Sequence, residues 1–238
     1  MYVSTVDSGN LSGHLLAVAQ ACLELAREPA QAAAAQRLKA VAKSCETLAW
    51  EADFSFLYHR KRHLLHIGWR VAEQQLDAGF YDLLASESRL TSLLAIAKGD
   101  VPVRHWASLG RPFYAVGARA GLRSWSGSMF EYMMPSLVLD EPHGSVLDDA
   151  SHAALSEQIA YTRARHGVKP GLTDVPWGIS ESAYAGRDHT LAYQYAPQGV
   201  PRLALRRTPQ DELVIAPYAT ALAAQIAPHS IVQPSSFA

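Results

Sequence analysis

LSGHLLAVAQACLELAR (Leu11–Arg27), followed after Glu28 and Pro29 by AQAAAAQRLKAVAKSCETLAW (Ala30–Trp50), decides the fold class. In the first segment Leu11, Leu15, Val18, Cys22 and Leu25 recur at steps of four and three, which is one face of a helix. Asp7 and Ser8 stand ahead of it as caps. Glu28-Pro29 ends it, because the residue before a proline is pushed out of helical backbone. In the second segment Ala34, Leu38, Val41, Cys45 and Leu48 repeat the stripe. Two amphipathic helices joined by a short break predict an antiparallel hairpin.

The pattern continues outward. Asp82 caps an expected helix over Leu83–Lys98, with Leu83, Leu90, Leu94 and Ala97 as its stripe and Gly99 as its stop. Shorter helices are expected over Val103–Leu109 and Met129–Leu139, the latter kinked or restarted at Pro135. Leu147–His166 is another, with Asp148 and Asp149 in its first turn, and Pro217–Ala227 is the last. Phe54–Trp69 has aromatic and β-type runs around a basic turn and predicts a short hairpin excursion. Gly110–Ser128 predicts a loop with one short strand, and Trp177–Arg207 shows little periodicity. No βαβ alternation is present, so a doubly wound sheet is not expected. The class is all-α with short β-hairpin excursions.

Composition narrows the function. The chain has 238 residues, 49% hydrophobic and 18% charged, with a formal net charge of −1. That apolar fraction builds a core and excludes a disordered chain. Near-neutral charge argues against a nucleic-acid-binding surface. No run of about 18 uncharged apolar residues provides a membrane segment. MYVSTVDSGN lacks a basic leader and does not read as a signal peptide. Cys22 and Cys45 cannot form a disulfide framework, which fits a reducing, cytoplasmic location.

Nucleotide-binding glycine motifs are absent, as are GxSxG and HExxH, so neither a cofactor nor a metal is expected. His59, His63 and His66 surround Arg60, Lys61 and Arg62, and read as a solvated basic turn rather than a metal site. Three stretches carry candidate chemistry. WSGSMFEYMMP (Trp125–Pro135) puts Glu131 in the first turn of a helix among aromatic and thioether side chains. The plain reading is a carboxylate favoured by the helix dipole; the chemical one is a general acid or base. PWGISESAYAGRDHTLAYQY (Pro176–Tyr195) combines aromatic rings with Glu181, Arg187 and Asp188. Either its rings plug a core, or they stack on sugar faces while polar groups take hydroxyls. VDSGNLSGH (Val6–His14) offers Asp7 and Asn10 as caps or as site groups.

These stretches belong to a longer pattern. YVSTVDSGNLSGHLLAVAQ, FSFLYHRKRHLLHIGWRV, YDLLASESRLTSLLAIAKGDVPVRHWASLGRP, SWSGSMFEYMMPSLV, VPWGISESAYAGRDHTLAYQYAPQGVPRLALRR and DELVIAPYATALAA run almost continuously from Tyr2 to about Ala227. Together they resemble the glucoamylase-like domain of cyclic β-1,2-glucan synthases, a relative of bacterial endo-β-1,2-glucanases. The resemblance implies an (α/α)6 toroid whose loops form a sugar cleft. It implies action on β-1,2-glucan: cleavage, or transglycosylation that closes a linear chain into a ring. It assigns Glu181 as general acid and Glu131 as nucleophile or base. Asp7, Asn10, Trp125, Ser128, Trp177, Tyr184, Arg187, Asp188 and Tyr195 would line the cleft. Ser128 stands where some glucanase relatives carry an aspartate.

The same resemblance implies a partial toroid over residues 1–227 and a frayed tail over 228–238. Helices that the family carries before VDSGN and after APYATALAA are missing, and KPGLTD (Lys169–Asp174) is an insert ahead of VPWGISES. Open helix faces in such a fragment predict self-association. The alternatives are a remnant that binds glucan weakly or not at all, and a subunit whose partner chain completes the ring.

Overall fold

The structure, a computed structural model, describes residues 1–117, 119–167, 175–185, 192–206 and 213–228. About half of the described residues are helical, with short strands between the helices, and the chain divides into two compact units. Unit 1 comprises Met1–Leu84 and Ser88–Gly110, and unit 2 comprises Ala85–Glu87 and Arg111–Ala238.

Unit 1 opens with strand β1 (Tyr2–Ser4), which runs directly into helix α1 (Thr5–Leu25). The cap is Ser4, whose hydroxyl accepts the Asp7 N–H at 3.2 Å; Asp7 and Ser8 lie inside the first turn. The helix therefore begins six residues before the first periodic leucine. A 3₁₀ turn (Pro29–Ala34) leads to α2 (Ala35–Glu51), which packs along α1 as the hairpin reading expects. The buried face differs from the leucine stripe. On α1 it is Thr5, Val6, Gly9, Ser12, Gly13 and Ala19, and on α2 it is Ala42 and Ala49. Leu11 is 64% exposed, and Val18, Leu25, Val41 and Leu48 are exposed as well. Small residues win the inward face because they let backbones approach closely. A Cβ on Gly9 would lie 1.9 Å from Thr91 Oγ1, and one on Gly13 would lie 2.9 Å from Leu90 Cδ2.

Beyond α2 come strands β2 (Tyr58–His59), β3 (Leu64–His66), β4 (Gly68–Arg70), β5 (Gln75–Leu76) and β6 (Phe80–Tyr81). β2, β3 and β6 form one antiparallel sheet; β1, β4 and β5 form another. The expected hairpin is β2–β3, with the basic residues at its tip and His63 at φ +58°. Phe80 packs against the rings of His59 and His66, and the Arg62 guanidinium lies 5.0 Å above it. His105 is fully buried, pairs with the His63 carbonyl at 2.7 Å and with Ser92 Oγ at 2.9 Å, and is driven below its ordinary value by burial.

Helix α3 (Arg89–Lys98) starts six residues later than its apolar stripe suggests, because Asp82, the expected cap, accepts the Gly110 N–H and Leu84 donates to the Gly110 carbonyl, which pairs Leu83 with Gly110 in a β-bridge. Gly99 ends it in left-handed backbone, as read. Lys98 bridges the Ala52 carbonyl and Asp100, and Asp100 accepts the Phe54 N–H at 3.0 Å. That knot closes a core of Phe54, Leu57, Leu65, Ala95 and Val101. A short α4 (Arg104–Ser108) completes the unit.

Unit 2 begins with the hairpin β7 (Phe113–Val116) and β8 (Arg119–Leu122). It continues through α5 (Met129–Met133), a 3₁₀ turn restarted at Pro135, and α6 (Val146–Arg165), capped by Ser145. Strands β9 (Glu181–Ala185) and β10 (Tyr193–Pro197) pair antiparallel where the sequence showed no period. Helix α7 (Pro217–Leu222) follows. α6 packs on β8 and α5, and α5 packs on α7, around Leu122, Met129, Tyr132, Met133, Ala154 and Leu203. Among the described residues no helix is long and apolar enough to cross a membrane.

Candidate active site

The two candidate carboxylates both belong to unit 2. Glu131 sits in the first turn of α5 and is buried. Ser128 caps that helix through a capping box with Glu131. A capping box requires only Ser128, yet three alternate serines converge here. Glu131 Oε2 accepts Ser124 Oγ–H at 2.8 Å, both the N–H and the hydroxyl of Ser126, and the Ser128 N–H at 3.1 Å. Ser124 Oγ in turn accepts the Gly127 N–H at 2.9 Å. Ser126 N–H also reaches Glu131 Oε1 at 3.2 Å, so the carboxylate sits in a cradle of fixed donors centred on Oε2.

Glycines make the cradle tight. Gly127 has φ +74°, and a Cβ there would lie 2.5 Å from the Val200 carbonyl oxygen. A Cβ on Gly199 would lie 1.8 Å from the Ser126 carbonyl oxygen. The second segment lies beside the first. Met129 N–H donates to the Ile179 carbonyl at 3.0 Å, and Phe130 N–H donates to Ser180 Oγ at 3.1 Å. Gly178, at φ +111°, lets that segment pass close to Thr220 on α7.

Glu181 opens β9 and is half-buried. Its Oε2 accepts the Tyr195 hydroxyl from β10. The Tyr218 hydroxyl is within hydrogen-bond distance of both the Glu181 backbone carbonyl, at 2.7 Å, and Ser180 Oγ, at 2.8 Å. Desolvation raises the Tyr195 phenol above its ordinary value, followed by its hydrogen bond to Glu181 and that carboxylate's charge. Burial raises Tyr218 likewise. The Glu87 charge opposes ionisation of both phenols, so a third carboxylate acts on this cluster.

Other sequence-nominated residues are dispersed. Trp125 is 45% exposed, whereas Trp177 is 5% exposed with its carbonyl accepting the Thr220 hydroxyl. Tyr184 donates to Gln194 Oε1 at 3.1 Å across the β9–β10 hairpin. Asp7 and Asn10 lie on α1 in unit 1, and the buried Asn10 Oδ1 has no partner among the described residues. Arg187, Asp188, the Lys169–Asp174 insert and the tail beyond Pro228 lie outside the described residues. Ser124, Ser126, Gln158, Tyr218 and Glu87 were not singled out from the sequence. For Gln158 a signal existed: it falls on the buried Ala150, Ala154, Thr162 face of α6, where a polar side chain must find partners. Among the described residues no three of His, Cys, Asp and Glu cluster as metal ligands would.

Residues 79–235 match the family model described as "Putative glucoamylase". The chain is 47% identical over 233 residues to "Cyclic beta-(1,2)-glucan synthase NdvB" of Rhizobium meliloti (strain 1021). That match covers 96% of this chain and 8% of the relative, so the chain spans a small part of that protein's length. In fold it is similar to a "putative glucoamylase" from Bacteroides caccae ATCC 43185 (TM-score 0.67, 19% identity, 97% of this chain and 54% of that one). It is also similar to the endo-beta-1,2-glucanase from Chitinophaga pinensis, solved in complex with sophorotriose and glucose (TM-score 0.64, 16% identity, 97% and 54%).

Proposed function

The chain belongs to the glucoamylase family whose model spans residues 79–235, and from that premise we propose that it acts on β-1,2-glucan, cleaving or transferring the glycosidic bond. Glu181 is the general acid and Glu131 the nucleophile or base. The observation that carries the reading is the backbone seam between their segments. Each glutamate lies two residues beyond a partner in the Met129–Ile179 hydrogen bond. Two carboxylates flanking one bond are the minimum for glycoside chemistry.

In this mechanism Glu181 protonates the departing glycosidic oxygen. Tyr195 and Tyr218 hold its side chain and backbone at the hairpin edge. Glu131, anchored through Oε2 by the serine cradle, attacks the anomeric carbon or takes a proton from the attacking hydroxyl. Water as acceptor gives hydrolysis; a hydroxyl of the same glucan gives a ring. The exposed Trp125 ring offers an apolar face to a sugar. Ser128, Trp177, Tyr184, Arg187, Asp188 and Tyr195 complete the proposed glucan-binding set of unit 2, and Asp7 and Asn10 are proposed separately as glucan-binding residues of unit 1.

The helices form part of an (α/α)6 toroid. Exposed Leu11, Val18 and Leu25 on α1, with Val41, Leu48 and Trp50 on α2, favour a second reading in which self-association or a partner chain covers that face. Free Cys22 and Cys45 suit a cytoplasmic setting. The test is incubation with linear β-1,2-glucan and separation of products. New oligosaccharides or rings, lost in Glu181→Gln, support the assignment, and unchanged glucan from folded protein refutes it.

A further inference from the structure

We propose that Gln158 is the positioning residue that sets the Glu131 segment against the Glu181 segment; this rests on the two-carboxylate reading above. Gln158 lies on α6, is fully buried, and spends its amide outside its own helix. The Ile179 N–H donates to Gln158 Oε1 at 2.7 Å. Gln158 Nε2–H donates back to the Ile179 carbonyl at 2.9 Å and to the Gly127 carbonyl at 3.3 Å. The amide therefore pairs with Ile179 as a neighbouring strand would, and reaches the cradle turn with its remaining donor. Ile179 fixes the amide's orientation, since its N–H must meet an oxygen and its carbonyl a nitrogen.

The bonded atoms are the ones a two-carboxylate site needs fixed. Gly127 lies between Ser126 and Ser128, whose N–H groups hold Glu131. Ile179 precedes Ser180 and Glu181, and its carbonyl also accepts the Met129 N–H. One side chain thus spans both segments from behind, on a helix packed against α5. A residue needed only to fill this space could be methionine or leucine. Burying an amide is unfavourable unless its polar atoms are paired, and here all three bonds go to the two segments.

The experiment combines amide hydrogen exchange with kinetics on linear β-1,2-glucan, for the full chain and for Gln158→Met, which keeps the volume and drops the bonds. In the wild type the Ile179 amide exchanges as slowly as the α6 core. In Gln158→Met it exchanges at least about tenfold faster, while amides of α1 and α2 keep their rates. For the reaction, kcat falls on the order of 100-fold with KM within about twofold, since a displacement near 1 Å costs about that much. Gln158→Asn keeps the amide but is one methylene shorter, and gives the same two effects if Gln158→Met does not fold. An Ile179 amide that exchanges like an exposed loop in the wild type overturns the proposal, as does a folded Gln158→Met protein with unchanged kcat. If the wild type leaves β-1,2-glucan intact, the proposed function falls, and positioning is then decided by the exchange rates alone.

Discussion

Gly199→Ala tests how tightly the Glu131 cradle is built. Gly199 does not adopt left-handed backbone, so the added methyl meets only a steric problem. Its Cβ would stand 1.8 Å from the Ser126 carbonyl oxygen, 2.7 Å from the Ser126 carbonyl carbon and 2.8 Å from that of Gly127. Real Cβ contacts essentially never fall below 3.0 Å, and all three obstacles are backbone atoms, so no side chain can swing away. The Gln198–Val200 segment or the Ser126–Gly127 turn must move by more than about 1 Å, loosening the Val200 N–H to Gly127 carbonyl bond of 3.0 Å. Overpacking of this kind costs about 1–3 kcal/mol, and the weakened bond adds about 1 kcal/mol. The expected loss is roughly 2–4 kcal/mol, or about 5–15 °C in Tm for a chain of this length. Because Ser126 holds Glu131, turnover of glucan should fall as well. Urea unfolding followed by tryptophan fluorescence measures the first effect and product analysis the second. Gly144→Ala is the control: its φ is +75°, nothing lies within 4 Å, and it should cost about 1–2 kcal/mol without affecting turnover. A Gly199→Ala protein within about 0.5 kcal/mol of wild type would refute the tight-cradle account.

Ser126→Ala removes one hydroxyl donor from a buried carboxylate and should destabilise by about 1–3 kcal/mol in chemical denaturation, with Ser126→Thr recovering part of it. Tyr2 donates to Asp77, which also pairs with Arg70 at 2.6 Å. Desolvation first, and then that bond, raise the Tyr2 phenol to about 12. A group raised on folding stabilises fully below its unfolded value and less as pH climbs through its folded one. Wild-type stability should therefore decline between pH 10 and 12 by a component absent from Tyr2→Phe, measured as Tm against pH. If the exposed α1–α2 leucine face drives self-association, sedimentation should show a species larger than the monomer that Leu11→Glu with Leu48→Glu dissolves; a wild-type monomer at all concentrations argues against it.

Helix pairing could be read from the sequence because proline and glycine punctuate it. Gly99 ends a helix where expected, α1 stops at Leu25, two residues short of the expected end, with Pro29 opening the next turn, and Pro135 restarts a helix. Orientation of those helices could not be read. Periodicity identifies an apolar stripe, but α1 turns Gly9, Gly13 and Ala19 inward, and close backbone approach leaves the leucines facing out. The start of α1 was obscured because Ser4 and Thr5 look like strand residues and the true cap precedes the acidic turn. The strands β9 and β10 were illegible since aromatic and polar residues line both of their faces. Glu131 and Glu181 stood out as carboxyls among rings. Of their supports only Ser128 and Tyr195 did, because Ser124, Ser126, Gln158 and Tyr218 acquire meaning only through the bonds they make in the folded chain.

The most direct measurement is the product profile from linear β-1,2-glucan incubated with the wild-type chain, Glu181→Gln and Glu131→Gln, each shown to be folded by circular dichroism. The expected result is conversion to shorter or cyclic glucans by the wild type, and a loss on the order of 100-fold or more in either variant. Intact glucan after incubation with folded wild-type protein, or a Glu181→Gln variant as active as the wild type, would contradict the two-carboxylate account.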